Sequence, residues 1–315
     1  MKFLNKKTNI DFVGKRKIAF AVSISLIVIS IVMLATRGLN YGLDFTGGTL
    51  IEVSYPSAPV VSDVRSHLSD AGMADSIVQT FGTPTDIVVR IPPRENIEES
   101  DAEISTAVLA ALQLGVEGEI VTRRVEFVGP QVGDELQEQG ILAVVYVLVG
   151  VFLYIMMRFQ WRFSVGAVAA LVHDIIITMG VLSATQIEFD LTVVAALLAV
   201  IGYSLNDTIV VFDRIRENFP RLRKSTSLEV VNASINQTLS RTLMTSSTTL
   251  LVLAALFIFG GEIIHAFAFT LIAGIVVGTY SSIYVASTAL LELGVSKFDL
   301  MAVEKEGSVA IDQKP

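Results

Sequence analysis

Two aspartates lie inside long apolar stretches of the sequence. Asp207 belongs to the segment 202–214 and lies about two helical turns, roughly 10 Å at 1.5 Å per residue, before the arginine that ends it. Asp174 lies near the middle of another apolar stretch. A charged side chain in hydrocarbon costs roughly 2.5 kcal/mol or more, so such acids face protein or water and are candidates for carrying protons. The sequence favours a proton relay; the alternative for Asp207 is a purely structural hydrogen bond to a neighbouring helix.

Polar residues near Asp207 extend this candidate relay. Tyr203 and Ser204 share its helix face at i, i+3 and i+4 spacing, so their hydroxyls are predicted to hold a water beside the carboxylate. Arg241, just before the next apolar stretch, is the predicted counter-charge; its alternative is to extend towards lipid head groups. The remaining supporting residues assigned to this site are Asn206, Asp213 and Thr245.

Other chemistry is absent from the sequence. There is no cysteine, and the histidines His67, His173 and His265 provide no set of metal ligands. His173 is instead interpreted as a packing residue or a member of the relay. The nucleotide-binding P-loop, the HExxH metalloprotease motif, the GxSxG elbow and the paired motifs of intramembrane aspartyl proteases are also missing. We therefore expect no cofactor, no metal site and no catalytic residues.

Composition indicates whether these residues lie in water or in lipid. The 315 residues are 52% hydrophobic and only 17% charged, with a mean hydropathy of +0.63. Such an apolar excess requires lipid. The net charge of −8 argues against nucleic-acid binding, which needs clustered basic residues.

Six stretches are long enough to cross a bilayer as helices, which takes about 20 apolar residues. The predicted spans are 18–37, 140–158, 163–184, 191–213, 243–260 and 263–291. The last contains Gly274 and Gly278 in a stripe of small residues at four-residue spacing, which predicts close helix packing.

Lys and Arg are concentrated in alternate connections, which predicts the orientation of the chain. The N-terminus 1–17, the short second-to-third connection, the loop 214–242 and the tail 292–315 are predicted to be cytoplasmic. Within that loop, an amphipathic helix is predicted from Thr226, where Glu229 completes a capping box; it contacts either a partner or lipid.

Residues 38–139 form the long extracytoplasmic segment. Its strand-like and helix-like stretches follow the order β-α-β-β-α-β, which predicts a small α+β ferredoxin-like domain. The predicted strands are 49–55, 76–81, 86–91 and 119–127, and the predicted helices are 60–71 and 95–114.

Four motifs in this order resemble the SecF branch of the SecD/SecF family of protein-export membrane proteins, in the resistance-nodulation-division superfamily. They are Gly-Leu-Asp-Phe-Thr-Gly-Gly-Thr-Leu-Ile-Glu at 42–52, Val-Glu-Phe-Val-Gly-Pro-Gln-Val-Gly at 125–133, Val-His-Asp at 172–174, and the segment 202–214. The resemblance covers nearly the whole chain.

The resemblance implies half of a twelve-helix unit in the bacterial inner membrane, completed by SecD as a heterodimeric partner. It further implies the SecYEG channel, YajC, YidC, unfolded preprotein and lipids as partners, and a proton gradient as the energy source. Asp207 matches the essential aspartate of the family and Arg241 its functional arginine. Two alternatives stay open: half of a small-molecule transporter, and a passive scaffold for translocon assembly.

Overall fold

A computed structural model describes residues 8–93, 101–116 and 118–295. Three predicted regions fall wholly or partly outside these residues: 1–7 of the N-terminus, 95–100 of the second domain helix, and 296–315 of the tail. In chain order the elements are α1 (Arg16–Arg37), β1 (Asn40–Tyr41), α2 (Leu43–Thr46), β2 (Gly48–Ser54), α3 (Val61–Asp70), β3 (Ile77–Phe81), β4 (Thr83–Ile91), α4 (Asp101–Gln113), β5 (Val121–Val128), α5 (Pro130–Arg158), α6 (Trp161–Thr185), β6 (Glu188–Phe189), α7 (Leu191–Arg221), α8 (Ser227–Phe259), α9 (Glu262–Ser281), a π-helical segment (Ser282–Ala286) and α10 (Ser287–Glu292).

The architecture of six membrane-spanning helices and one small sheet domain is confirmed. Six helices in the described part of the chain are long and apolar enough to span a bilayer: α1, α5, α6, α7, α8 and the continuous stretch from α9 to α10. Helix α6 packs against α1, α5 and α9, and α7 packs against α8 and α9. Four helices, α6 to α9, therefore enclose the interior of the bundle.

Three helices extend by eight or more residues beyond their predicted ends. Helix α5 begins at Pro130, ten residues before the predicted span. Helix α7 continues past 213 to Arg221, because the charges after the span pair along its surface, as in the Arg214–Glu217 contact of 3.1 Å. The separate inner-loop helix is also a correction. Its capping box at Thr226 is present, but it opens α8, which runs without a break through the fifth span.

The segment between α1 and α5, predicted to be extracytoplasmic, folds as an antiparallel sheet with the strand order β3-β4-β2-β5. Helices α3 and α4 pack on one face of it over an apolar core that includes Ile51, Leu68 and Val89. This order is that of the predicted ferredoxin-like fold. The other face carries charged side chains and, together with the ends of the membrane helices nearest to it, lines a cleft of about 350 Å³.

Candidate functional site

Asp174, on α6, is held by three side chains in the interior of the bundle. Ser204 on α7 and Ser281 on α9 each donate a hydrogen bond to its Oδ2, at 2.6 and 2.8 Å. His173 Nδ1 lies 2.9 Å from its Oδ1. The carboxyl group is 1% exposed, and its partners come from three different helices. Asp174 thus joins α6, α7 and α9 at one buried point.

Asp207, on α7, is buried but bound far less tightly. Its one side-chain hydrogen bond within the described residues is a long one of 3.5 Å, donated by Ser246 on α8 to Oδ2. Ser246 also lies 2.8 Å from the hydroxyl of Thr279 on α9. The two buried acids therefore both contact α9 through hydroxyls: Asp174 directly through Ser281, and Asp207 through Ser246 and Thr279.

Gly278 explains how α9 approaches so closely. A Cβ atom at this position would lie 2.9 Å from Ser204 Cβ and 3.5 Å from Asp174 Oδ2. At Gly274, one turn earlier, a Cβ would clash with the side chain of Val200 on α7. The two glycines of the predicted packing stripe thus lie directly against α7, beside the acids.

Arg241 does not form the direct pair with Asp207 that its position in the sequence indicated. Its side chain is exposed, and no salt bridge joins it to Asp207 among the described residues. Its guanidinium charge still acts on the Asp207 carboxylate through space. Arg241 therefore lies on an outer face of the bundle, within electrostatic range of the acid.

The predicted supporting residues are divided between several environments. Ser204 donates a hydrogen bond to Asp174. The Tyr203 hydroxyl is buried and has no hydrogen-bond partner in the described part of the chain. Asn206 is exposed, Asp213 lies 3.9 Å from Arg158, and Thr245 donates to backbone carbonyls of its own helix. Among the described residues, Ser204 hydrogen-bonds to one of the acids and the other four supporting residues do not.

Three hydroxyls that contact or approach the acids escaped the sequence analysis: Ser246, Thr279 and Ser281. They belong to apolar stretches with many serines and threonines, and which of these face inward depends on the rotation of each helix. A signal was nevertheless present, because Ser281 follows the glycine stripe by three residues and so shares the helix face of Gly278.

Metal ligands are not grouped in the described residues, where no set of three or more His, Asp or Glu side chains stands together. The prediction that the chain takes no metal or cofactor stays a prediction. The interior instead offers two carboxyl groups and a series of hydroxyls, a combination suited to accepting and passing protons.

Comparison with known proteins identifies the family. Residues 108–296 match the family described as "Protein export membrane protein SecD/SecF, C-terminal", and residues 32–55 match the "SecD/SecF GG Motif". A protein translocase subunit SecF of Vibrio alginolyticus is 52% identical over 314 residues, covering 99% of each chain. The SecF subunit of Pseudomonas aeruginosa is 49% identical over 307 residues, covering 97% of this chain and 98% of its own.

Solved structures of the same family are also similar to this chain. The crystal structure of SecDF, a translocon-associated membrane protein from Thermus thermophilus, matches with a TM-score of 0.82 and 36% identity over 93% of this chain. The match covers 39% of that longer protein. SecDF in a super-membrane-facing form matches with a TM-score of 0.67 at the same identity. By sequence and by fold, the chain belongs to the SecD/SecF family of protein-export membrane proteins, in its SecF branch.

Proposed function

We propose that this chain, together with SecD, uses the proton gradient to promote late steps of preprotein export across the bacterial inner membrane. As a member of the SecF branch it is an accessory subunit of the Sec protein translocase, and its role is transport. The observation that carries the proton-driven step is Asp207, a carboxyl group buried between helices with one long hydrogen bond.

The contrast between the two acids supports separate roles for them. Protonation of Asp174 would disturb short bonds from Ser204, Ser281 and His173. Protonation of Asp207 would disturb only the 3.5 Å contact with Ser246 and the through-space attraction of Arg241. Asp207 is therefore the proton carrier in this proposal, and Asp174 is the relay residue that fixes the neighbouring helices.

Neutralising Asp207 would release the attraction of Arg241 and let α7 and α8 repack, and the extracytoplasmic domain would move in response. Buried hydroxyls near membrane depth with no partner among the described residues, such as those of Thr208 and Thr242, offer places where water can bond along a proton path. No hydrolytic step is part of this mechanism.

The proposal also covers the partners of the subunit and its orientation in the membrane. Association with SecD is supported by the match to SecDF, in which one long chain contains the region similar to this one. The excess of Lys and Arg at one end of the spans supports an orientation with both termini in the cytoplasm and the sheet domain outside. SecYEG, YajC, YidC, the unfolded preprotein and membrane lipids are the proposed further contacts, and nucleic acid is not among them.

The test is late-stage export of a preprotein into inverted membrane vesicles, with and without a proton gradient, at matched SecD abundance. Asp207→Asn should abolish the stimulation of export by the gradient. Glu217→Gln, at an exposed acid further along α7 that is not assigned to the site, is the control and should retain it. Equal stimulation in Asp207→Asn and the unsubstituted protein would instead support a passive scaffold, and ligand-dependent proton uptake would support a small-molecule transporter.

A further inference from the structure

The Gly-Leu-Asp-Phe-Thr-Gly-Gly motif lies where the extracytoplasmic domain joins the membrane bundle. Asp44, in this motif, accepts a hydrogen bond at 3.0 Å on its Oδ2 from the backbone N–H of Leu191. Leu191 is the first residue of α7, the helix that carries Asp207. A carboxylate from the root of the domain thus caps the helix of the proposed proton carrier.

The contact is one part of a continuous attachment between the chain after α1 and the α6–α7 turn. Ser183 Oγ donates to the carbonyl of Gly38 at 2.7 Å. Strands β1 and β6 then pair in parallel, with Asn40 opposite Glu188. Gly42 N–H donates to the Phe189 carbonyl at 2.8 Å, immediately before Asp44. The chain after α1 is therefore hydrogen-bonded along the whole α6–α7 turn, from the end of α6 to the start of α7.

The sheet is attached to the same turn by side chains. Arg90 of β4 forms a 2.6 Å ion pair with Glu188. Phe45, next to Asp44, packs against Phe189 with ring centroids 5.6 Å apart and belongs to an apolar cluster with Val193 of α7. A displacement of the first turn of α7 would consequently move residues that belong to the domain.

Two glycines, Gly47 and Gly48, form the tight connection between α2, beside the α6–α7 turn, and strand β2 of the sheet. Gly47 and Gly48 have φ angles of +67° and +111°, which favour glycine. A Cβ at Gly47 would lie 3.1 Å from the Val128 carbonyl oxygen, and one at Gly48 would clash with the Ile91 carbonyl. No side chain fits there, so the chain turns directly from α2 into the central strand β2.

We infer that Asp44 is a positioning residue that couples α7 to the extracytoplasmic domain. Leu191 and Asp207 are 16 residues apart on one helix, a separation of about 24 Å at 1.5 Å per residue. Movement of α7 that begins at Asp207 is transmitted to the sheet through the Asp44 cap and through the paired strands β1 and β6. This inference rests on the proposed proton-driven function for its role in export, but the physical link can be tested without a gradient.

Asp190 provides a matched control. It is the N-cap residue of α7, and its Oδ1 accepts from Val193 N–H at 2.9 Å and from Thr192 Oγ1 at 2.7 Å. Asp190→Ala removes a cap of the same helix end but leaves the contact with the domain motif intact. Asp44→Ala removes the contact with the domain and leaves the N-cap. Coupling and simple loss of helix capping therefore predict different results for the two variants.

The link itself can be measured by pulsed spin-label distances in the complex with SecD. The chain has no cysteine, so Ser66→Cys on α3 and Thr185→Cys at the end of α6, both exposed, provide unique labelling sites. Asp44→Ala should broaden the distance distribution, Asp190→Ala should leave it unchanged, and Asp44→Asn, which keeps an acceptor oxygen, should fall between them. An unchanged distribution in Asp44→Ala would overturn the inference whatever the gradient does.

Export then tests the consequence. Asp44→Ala should lose gradient-stimulated export and keep gradient-independent export, while Asp190→Ala keeps both. Asp44→Asn, which keeps an acceptor oxygen, should retain part of the stimulation. Full stimulation in Asp44→Ala, while Asp207→Asn behaves as proposed, would overturn the inference alone. Loss of the Asp207 effect would count against the proposed function alone.

Discussion

The two interiors of this molecule differ in the number of polar side chains that they bury. The core of the sheet domain is apolar, and Ile51, Val53, Ile87, Val89 and Val108 in it are fully buried. The interior between α6 and α9 buries two aspartates, a histidine and a series of serines and threonines. One protein therefore contains an apolar core in water and, in lipid, a bundle that buries polar groups beside its own apolar clusters.

The difference follows from the solvent outside each region. In water, each Å² of apolar surface removed from solvent contributes roughly 25 cal/mol, so the domain gains stability by filling its core with Ile, Val and Leu. In lipid that gain is absent, because the tails are as apolar as the side chains. The bundle can thus present apolar faces outward, as α1 and α5 do, and keep polar groups inside. Its interior is consequently available for proton chemistry.

The largest expected effect is on the stability of the sheet domain and tests its apolar core. Ile51→Ala should destabilise the domain by about 2–5 kcal/mol, since it removes a fully buried side chain from the centre of β2. Hydrogen exchange of the β2 and β4 amides in the complex would measure this loss of protection. Glu52→Ala, on the opposite face of the same strand, is the control and should change protection little. Equal protection in Ile51→Ala and the unsubstituted protein would contradict the comparison.

A second effect tests packing in the bundle. Gly278→Val places a branched side chain against Ser204, and overpacking of this kind costs about 1–3 kcal/mol. The matched change is Gly202→Val on α7, where an added Cβ meets no heavy atom within 4 Å. Thermal unfolding of the detergent-solubilised complex should show a lower midpoint for Gly278→Val alone. Similar midpoints would mean that α9 does not rely on this close approach.

A smaller effect tests the polar bonds. Ser281→Ala removes one donor to Asp174 and should cost about 0.6 kcal/mol, because hydrogen bonds between membrane helices contribute little on average. The neighbouring Ser282→Ala removes a bond to a carbonyl of the same helix stretch and serves as its control. If reversible unfolding in mixed micelles gave a loss of several kcal/mol for Ser281→Ala, the polar interior would be a major source of stability.

The smallest effect concerns the one acid buried in the sheet domain among the described residues. Hydrogen bonds from Ser54 and Thr83, with a contribution from the Arg123 charge, lower the pKa of Asp86. A lowered pKa stabilises the fold above the pKa of the unfolded chain, about 3.9, and this stabilisation is lost as pH falls through the folded value.

The protection of β4 amides, corrected for intrinsic exchange, should therefore fall below about pH 4 in the unsubstituted protein. Asp86→Asn should remove much of this dependence, whereas Asp70→Asn, at the exposed end of α3, should preserve it. An acid response that is identical in all three proteins would assign the dependence to other groups.

The spans and the sheet order were predictable because each depends on a local pattern. A run of about 20 apolar residues can satisfy its backbone in lipid only as a helix, and alternation of side chains marks a strand. The ends of α7 and α8 were not predictable in this way. Beyond the membrane, charges such as Arg214 and Glu217 are equally compatible with a loop or with a helix that pairs them.

The candidate site was predictable as a pair of acids but not as a set of contacts. Asp174 and Asp207 stand out because charge is costly in lipid. The partner of Ser204 could not be read from spacing, since it lies on another helix rather than three residues along the same one. Likewise, the separation of Arg241 from Asp207 depends on the rotation of α8 about its axis.

The unbroken helix α8 has a mechanical consequence. Its 33 residues give a length of about 50 Å, well beyond the roughly 30 Å of hydrocarbon. Its first turns therefore form an arm beyond the membrane, and there Val231 and Ile235 are buried in a cluster with Ile215 of α7. The segment near the N-terminus is fastened to that arm, because Asn232 and Asn236 exchange hydrogen bonds with the backbone around Ile10. If α8 pivoted about its C-terminal end by about 5°, Ser246 beside Asp207 would move about 1.7 Å and the first turn of the helix about 4 Å, so a shift at the acid would be a little more than doubled at the N-terminal end.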